Sequence, residues 1–148
     1  MAAAERQADV TWEGNLTEGR GTIDSVTSGA LGSLPITWAS RVERADGRTS
    51  PEELLAAAHA ACYAMSLANT LNRAGTPAQR LHISAVCGIE RPSGGLTIST
   101  MSLTAQGRVP GIDQATFAET ARTAEQNCPV SKALRNNVQI SVTAQLEQ

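Results

Sequence analysis

Large aromatic side chains are nearly missing from this sequence, which has one Phe, one Tyr and two Trp among 148 residues. Its core must therefore be built from Ala, Val, Ile and Leu on closely approaching backbones. A lone chain packed that way is thinly stabilised, and pairing two copies buries more apolar area, so the composition favours a homodimer. Charge of one sign is missing as well: the net charge is -2, with acids and bases scattered. No basic stripe is present to neutralise a phosphate backbone, which argues against a nucleic-acid partner. The opening MAAAERQADVTWEG is too polar for the apolar core of a signal peptide. The most apolar stretch, 54–71, is dominated by Ala and broken by His59, Ser66 and Asn69, which reads as a buried helix and not a membrane span. Cysteine is sparse and odd in number, three in all, with no CxxC. That argues against a purely structural disulfide framework, leaves room for one redox pair and one spare and, without an export signal, fits a cytoplasmic protein.

The hydrophobic pattern divides the chain cleanly. Residues 8–40 alternate in short runs separated by Gly and Ser, the mark of strands, with Val10 and Trp12 on one face and 34–39 as the last run. After the loop Ala45-Asp46-Gly47-Arg48, Ser50-Pro51-Glu52-Glu53 is a helix start. Ser50 is the N-cap, Pro51 suits the first turn and Glu53 completes a capping box. This helix is predicted to run to Ala74, where Gly75 caps and Pro77 blocks it. Apolar residues cover almost its whole circumference, so it is expected to be central and covered on every side. Leu81, Ile83, Ala85, Cys87 and Ile89 fall at period two, and Pro92-Ser93-Gly94-Gly95 turns the chain into a second strand over 96–107. Asp113 caps a helix over 114–126, Cys128-Pro129 interrupts and restarts it, and Val138, Ile140, Val142 and Ala144 alternate in a last strand. The order β-β-β-α-β-β-α-β predicts one α+β domain over 1–148, with mostly antiparallel sheet.

Two cysteines sit in unlike places. Cys62 lies midway along the long apolar helix. Cys128 lies where a helix restarts, beside amides whose partial positive charge favours a thiolate. Cys87 stands on the inward face of a strand and reads as a small buried hydrophobe. Taken alone, Cys62 and Cys128 allow that reading too, Glu52 and Glu53 are ordinary first-turn acids, and Arg41 is a strand-end charge. His59 and Cys62 are spaced i, i+3 as metal ligands can be, but with two histidines in the chain a zinc site is a poor fit.

The segments TSPEELLAAAHAACYAM, VPGID and NCPVSKAL, with the opening TWEG, resemble the signatures of the OsmC/Ohr family of peroxidases, and of its OsmC branch in particular. The resemblance spans nearly the whole chain, in order. It implies an intertwined homodimer whose antiparallel sheets cover a long central helix. It further implies a peroxidase acting on organic hydroperoxides and hydrogen peroxide, with Cys62 attacking and Cys128 resolving it into a disulfide. An external dithiol, of lipoyl type in the family, restores both thiols, and no metal, flavin or haem takes part. Glu52 and Arg41 complete the implied site, with Arg20, Arg44 and Arg48 as neighbouring alternatives to Arg41. A stress-induced redox sensor or binding protein using the same cysteines is the competing reading, and a structural dimer with inert thiols is a third.

Physical chemistry says what such a site requires. Lowering a thiol pKa from ~8.5 to about 5.5 raises the thiolate fraction roughly 30-fold at neutral pH. A Brønsted slope of ~0.4–0.5 then removes roughly 15–30-fold through weaker nucleophilicity. Acidity alone does not make a peroxidase. The remainder must come from orienting the O–O bond and stabilising the leaving alkoxide, tasks suited to a planar guanidinium fixed by a carboxylate. Glu52 precedes Cys62 by ten residues, roughly 15 Å along a straight helix. Either Arg41 spans part of that gap or an antiparallel helix of a second copy supplies its own carboxylate.

Overall fold

The computed structural model describes all residues, Met1–Gln148, as two compact units, Met1–Leu54 and Leu55–Gln148. The first unit holds a three-stranded antiparallel sheet of β1 (Ala8–Glu13), β2 (Arg20–Val26) and β3 (Gly32–Ile36) in that order. Gly21 in β2 is required by packing: a Cβ there would lie 2.7 Å from both Ile36 Cγ1 and Trp12 Cε3. The run expected to stay extended to Ala39 ends at Ile36, and α1 (Trp38–Val42) follows. Thr37 and Ser40 form a reciprocal capping box at 3.0 Å each way, which satisfies the amides that would otherwise be orphaned. Asp46 (φ 49°) and Gly47 (φ 74°) then turn the chain, with the Arg48 N–H donating to the Ala45 carbonyl at 2.9 Å. Both central residues are left-handed, as a type I′ turn demands, and Asp-Gly tolerates this best.

The long helix α2 (Pro51–Arg73) begins and ends close to where the sequence places it. Ser50 Oγ accepts the Glu53 N–H at 3.1 Å, but Glu53 does not close the box, because its carboxylate takes the Thr49 hydroxyl at 3.2 Å. At the far end Gly75 is left-handed (φ 80°), and the Gly75 and Thr76 amides reach back to Asn72 and Leu71 in a Schellman motif. By length and a mean hydropathy of 1.3 this helix is able to cross a membrane. It is instead the core helix of the second unit, with Tyr63, Leu67 and Leu71 fully buried.

In the second unit, β4 (Arg80–Glu90) and β5 (Thr97–Arg108) form the expected hairpin. β6 (Gln139–Leu146) pairs with β5 in parallel, a departure from the antiparallel expectation. The cause is the crossover through α3 (Gln114–Asn127) and α4 (Pro129–Leu134), which returns the chain so that β6 starts at the same end as β5. Met101, Leu103 and Ala105 of β5 pack with Tyr63, Leu67 and Leu71 and with Phe117, Ala121 and Ala124 of α3. Gly107 makes room for the single Phe, since a Cβ there would stand 2.5 Å from Phe117 Cζ. Cys87 packs at the margin of this core beside Ile83 and Ala85. Within one chain α2 is not covered on every side as expected: Ala57, Ala58, Ala61, Met65 and Ala68 are exposed, Met65 at 68%.

Candidate active site

Pro129 sets the position of Cys128. Proline disfavours helical φ/ψ in the residue before it and offers no amide, so the helix stops and restarts around an extended residue. Cys128 (φ −67°, ψ 121°) is at once the C-cap of α3 and the N-cap of α4. Its N–H donates to the Glu125 carbonyl at 3.2 Å, and its own carbonyl accepts the Lys132 N–H at 2.9 Å. Its side chain is fully buried, and its Sγ–H points at Cys62 Sγ across 3.4 Å. Both thiols are free.

Cys62 differs from its neighbour in access. It is partly exposed and opens onto a cleft of about 620 Å³ with Met65, Ser66, Asn69, Arg73, Asn127 and Pro129 in its walls. One sulfur of the pair therefore meets solvent and the other is sealed behind it. Burial pushes the Cys62 thiol up from its ordinary value, while a hydrogen bond from the Val130 amide pulls it down and nearby Cys128 raises it further. The Val130 amide of α4 thus serves Cys62, whereas the sequence sets the amides of the restarting helix beside Cys128. Burial outweighs that bond, so a thiolate at Cys62 needs a neighbouring cation.

Polar groups inside the second unit fasten α2 to α3 and α4 around the two sulfurs. His59 is fully buried, with Nε2 2.7 Å from Ser131 Oγ and Nδ1 without a partner. Burial holds its pKa down, and nearby Glu125 partly offsets that. The Tyr63 hydroxyl donates to the Ala121 carbonyl at 3.0 Å and Ser66 Oγ to the Ala124 carbonyl at 2.7 Å. Tyr63 itself is pushed well above the normal phenol range by burial, so it is a neutral donor. Glu125 is 5% exposed and pairs with Arg135 at 3.0 Å. None of these partners was legible in sequence beyond a partly buried His59. The available signals were His59 on the 59-63-67-71 stripe and an acid beside Ala121 and Ala124.

Arg41 and Glu52 meet in the first unit. Arg41, in the last turn of α1, donates through Nε at 2.9 Å and Nη2 at 2.7 Å to the same oxygen, Glu52 Oε1. The carboxylate is 8% exposed and the guanidinium 32%, and Oε2 of Glu52 is buried without a partner. Of the four arginines considered, Arg41 alone pairs with Glu52, whereas Arg20 pairs with Glu13 and Arg48 with Asp46. Arg41 also borders an apolar pocket of about 310 Å³ whose walls include both tryptophans, Trp12 and Trp38, with Leu16 and Ile36. No group of three or more His, Cys, Asp or Glu side chains stands together as a metal site would need, and His59 commits Nε2 to Ser131.

Residues 44–143 match the family model for OsmC-like protein. The peroxiredoxin OsmC of Escherichia coli (strain K12) is 35% identical over 133 residues, covering 90% of this chain and 92% of that one. The organic hydroperoxide resistance protein of Xanthomonas axonopodis pv. citri is 34% identical over 97 residues, 64% of this chain and 66% of that one. Among solved structures, the organic hydroperoxide resistance protein OhrB of Bacillus subtilis superimposes with a TM-score of 0.72 at 25% identity, covering 94% of this chain and 98% of that one. An organic hydroperoxide resistance protein from Elizabethkingia anophelis, at 22% identity, shares the fold with a TM-score of 0.73 over 99% of this chain and 100% of its own.

Proposed function

The chain belongs to the OsmC-like protein family, and from that premise we propose that it is a cytoplasmic thiol peroxidase in which Cys62 reduces hydroperoxides and Cys128 resolves it. The observation that carries the reading is the sulfur pair: two free thiols 3.4 Å apart, one opening on a cleft and the other sealed. In the first step the Cys62 thiolate attacks the distal oxygen of ROOH. The O–O bond breaks, the alkoxide leaves and takes a proton as ROH, and Cys62 becomes a sulfenic acid. Cys128 then attacks that sulfur, an S–S bond replaces the S–O bond, and water leaves. A dithiol of lipoyl type exchanges with the disulfide and returns both thiols. No metal, flavin or haem is called on.

Arg41 and Glu52 are proposed as the cation and its anchor. Because burial raises Cys62, the thiolate needs a neighbouring positive charge, and a guanidinium is also suited to hold a peroxide oxygen. Two donors from Arg41 converge on one Glu52 oxygen, which fixes the guanidinium plane. The pair and the cysteines are proposed to serve the same reaction, in a homodimer. The exposed Ala57, Ala58, Ala61, Met65 and Ala68 of α2 supply an apolar face for a second copy. Peroxides with organic groups fit the relatives' names, and hydrogen peroxide is the smaller substrate expected beside them.

The same two thiols 3.4 Å apart also suit a second reading, a redox sensor that closes to the disulfide without sustained turnover. Turnover separates the two. Consumption of cumene hydroperoxide and hydrogen peroxide with a dithiol is expected for wild type and Cys87→Ser, with Cys62→Ser inactive and Cys128→Ser stalling after one oxidation. Disulfide formation without turnover moves the sensor reading ahead, and full activity in Cys62→Ser removes the peroxidase assignment.

A further inference from the structure

Cys128 belongs to neither helix body, so something must hold the joint that carries it. The residues on its two sides do so. Three positions before it, Glu125 accepts the Cys128 N–H on its carbonyl at 3.2 Å. Seven positions after it, Arg135, the C-cap of α4, returns a single nitrogen, Nη2, to that same residue. This nitrogen lies 3.0 Å from Glu125 Oε1 and 3.5 Å from the Glu125 carbonyl. The other carboxylate oxygen accepts from Gln126 Nε2 at 2.9 Å. The carboxylate is 7% exposed and the guanidinium 34%. A buried charge pair is seldom the most stable way to join two helices, since an apolar pair of similar volume does as well or better. What this one provides is a fixed geometry, since a single nitrogen ties the side chain of Glu125 to the carbonyl that takes the Cys128 N–H. On the facing helix, His59 to Ser131, Tyr63 to Ala121 and Ser66 to Ala124 hold the side that carries Cys62.

We propose that Glu125 and Arg135 are positioning residues for the Cys128 sulfur, keeping it in range so that oxidised Cys62 is captured as a disulfide before a second hydroperoxide reaches it. The proposal rests on the roles assigned above to Cys62 and Cys128. Two reactions compete for the Cys62 sulfenic acid. Condensation with the Cys128 thiol forms the S–S bond and releases water. Attack on a second ROOH gives the sulfinic acid and ROH. Their ratio is the condensation rate against the second oxidation rate times peroxide concentration. Slowing condensation by a given factor lowers the peroxide concentration for half sulfinate by the same factor. Ångström-scale displacement of a reacting group costs up to ~100-fold in rate, and a loosened joint is expected to cost about tenfold.

The test uses the full chain as wild type, Arg135→Met, Arg135→Lys, Glu125→Gln and Cys128→Ser, with cumene hydroperoxide as probe. Stopped-flow consumption of the first equivalent reads attack by Cys62. Peptide mass spectrometry across a peroxide titration reads disulfide against sulfinate. The expected result is an unchanged first step in Arg135→Met with the half-sulfinate concentration lowered about tenfold, and a partial return in Arg135→Lys, which keeps the charge and one donor nitrogen on a shorter side chain. A folded Arg135→Met with the wild-type half-point, or one in which both steps slow equally, overturns the proposal. If Arg135→Met does not fold, wild-type half-points in both Arg135→Lys and Glu125→Gln overturn it. Cys128→Ser is the separate control: if it forms sulfinate no more readily than wild type, the resolving role itself is wrong.

Discussion

Removing one hydroxyl should expose how much the second unit depends on its buried polar contacts. In Ser131→Ala the change in volume is small, and both residues of the pair are fully buried. His59 already has Nδ1 without a partner, and Ser131 Oγ at 2.7 Å is the partner of Nε2. The variant therefore leaves an imidazole with neither nitrogen matched, at a cost of about 1–3 kcal/mol. For a chain of this size each kcal/mol lowers Tm by about 2–4 °C, so a fall of roughly 2–12 °C is expected in thermal denaturation. His59→Leu/Ser131→Ala removes both partners and is expected to recover much of the loss, because apolar replacement of a whole pair is close to neutral. pH gives an independent reading. With the folded pKa of His59 depressed by burial, the unfolded state binds the proton more readily. Stability is full above the unfolded value near ~6.5 and falls as pH drops from there toward the lower folded value. Glu125 works against the shift and makes it smaller. This part of the acid sensitivity should vanish in His59→Leu. A Ser131→Ala protein with wild-type Tm, or a double variant less stable than the single, refutes the reasoning.

Three further outcomes are expected. Gly107→Ala forces a Cβ to 2.5 Å from Phe117 Cζ and should destabilise by about 1–3 kcal/mol in urea unfolding, with Phe117→Leu relieving part of it. Arg41→Met strands the Glu52 carboxylate, which is 8% exposed, and should cost up to about 3 kcal/mol. Arg41→Met/Glu52→Leu should regain stability while peroxidase activity stays lost, as a role at the peroxide requires. If the exposed face of α2 joins two copies as proposed, Met65→Glu should shift sedimentation toward monomer, with activity falling in parallel.

What the sequence shows of this fold follows from local chemistry. The limits of α2 are legible because Ser50-Pro51 and Gly75 act on adjacent amides, and the Cys128-Pro129 break is legible for the same reason. The β4–β5 hairpin is visible in its alternation and its Pro-Ser-Gly-Gly turn. Direction is not encoded in alternation, so the parallel pairing of β6 with β5 is not legible in the sequence. The five residues of α1 are too short to show a helical period, and only the Thr37-x-x-Ser40 spacing marks its start. The apolar circumference of α2 does not say which chain covers it, because alanine fits both a face packed within one chain and one left for a second copy. At the site, the residue types were readable in the motifs, but contacts such as Cys62 with Cys128, 66 apart, depend on tertiary folding.

The most direct test of the central claim is site-resolved mass spectrometry after one equivalent of cumene hydroperoxide is added to the reduced protein. A disulfide joining Cys62 and Cys128, with Cys87 left as a thiol, is the predicted result, and a Cys62 sulfenic acid should precede it. Oxidation that falls on Cys87, or a protein that leaves the peroxide intact, contradicts the account.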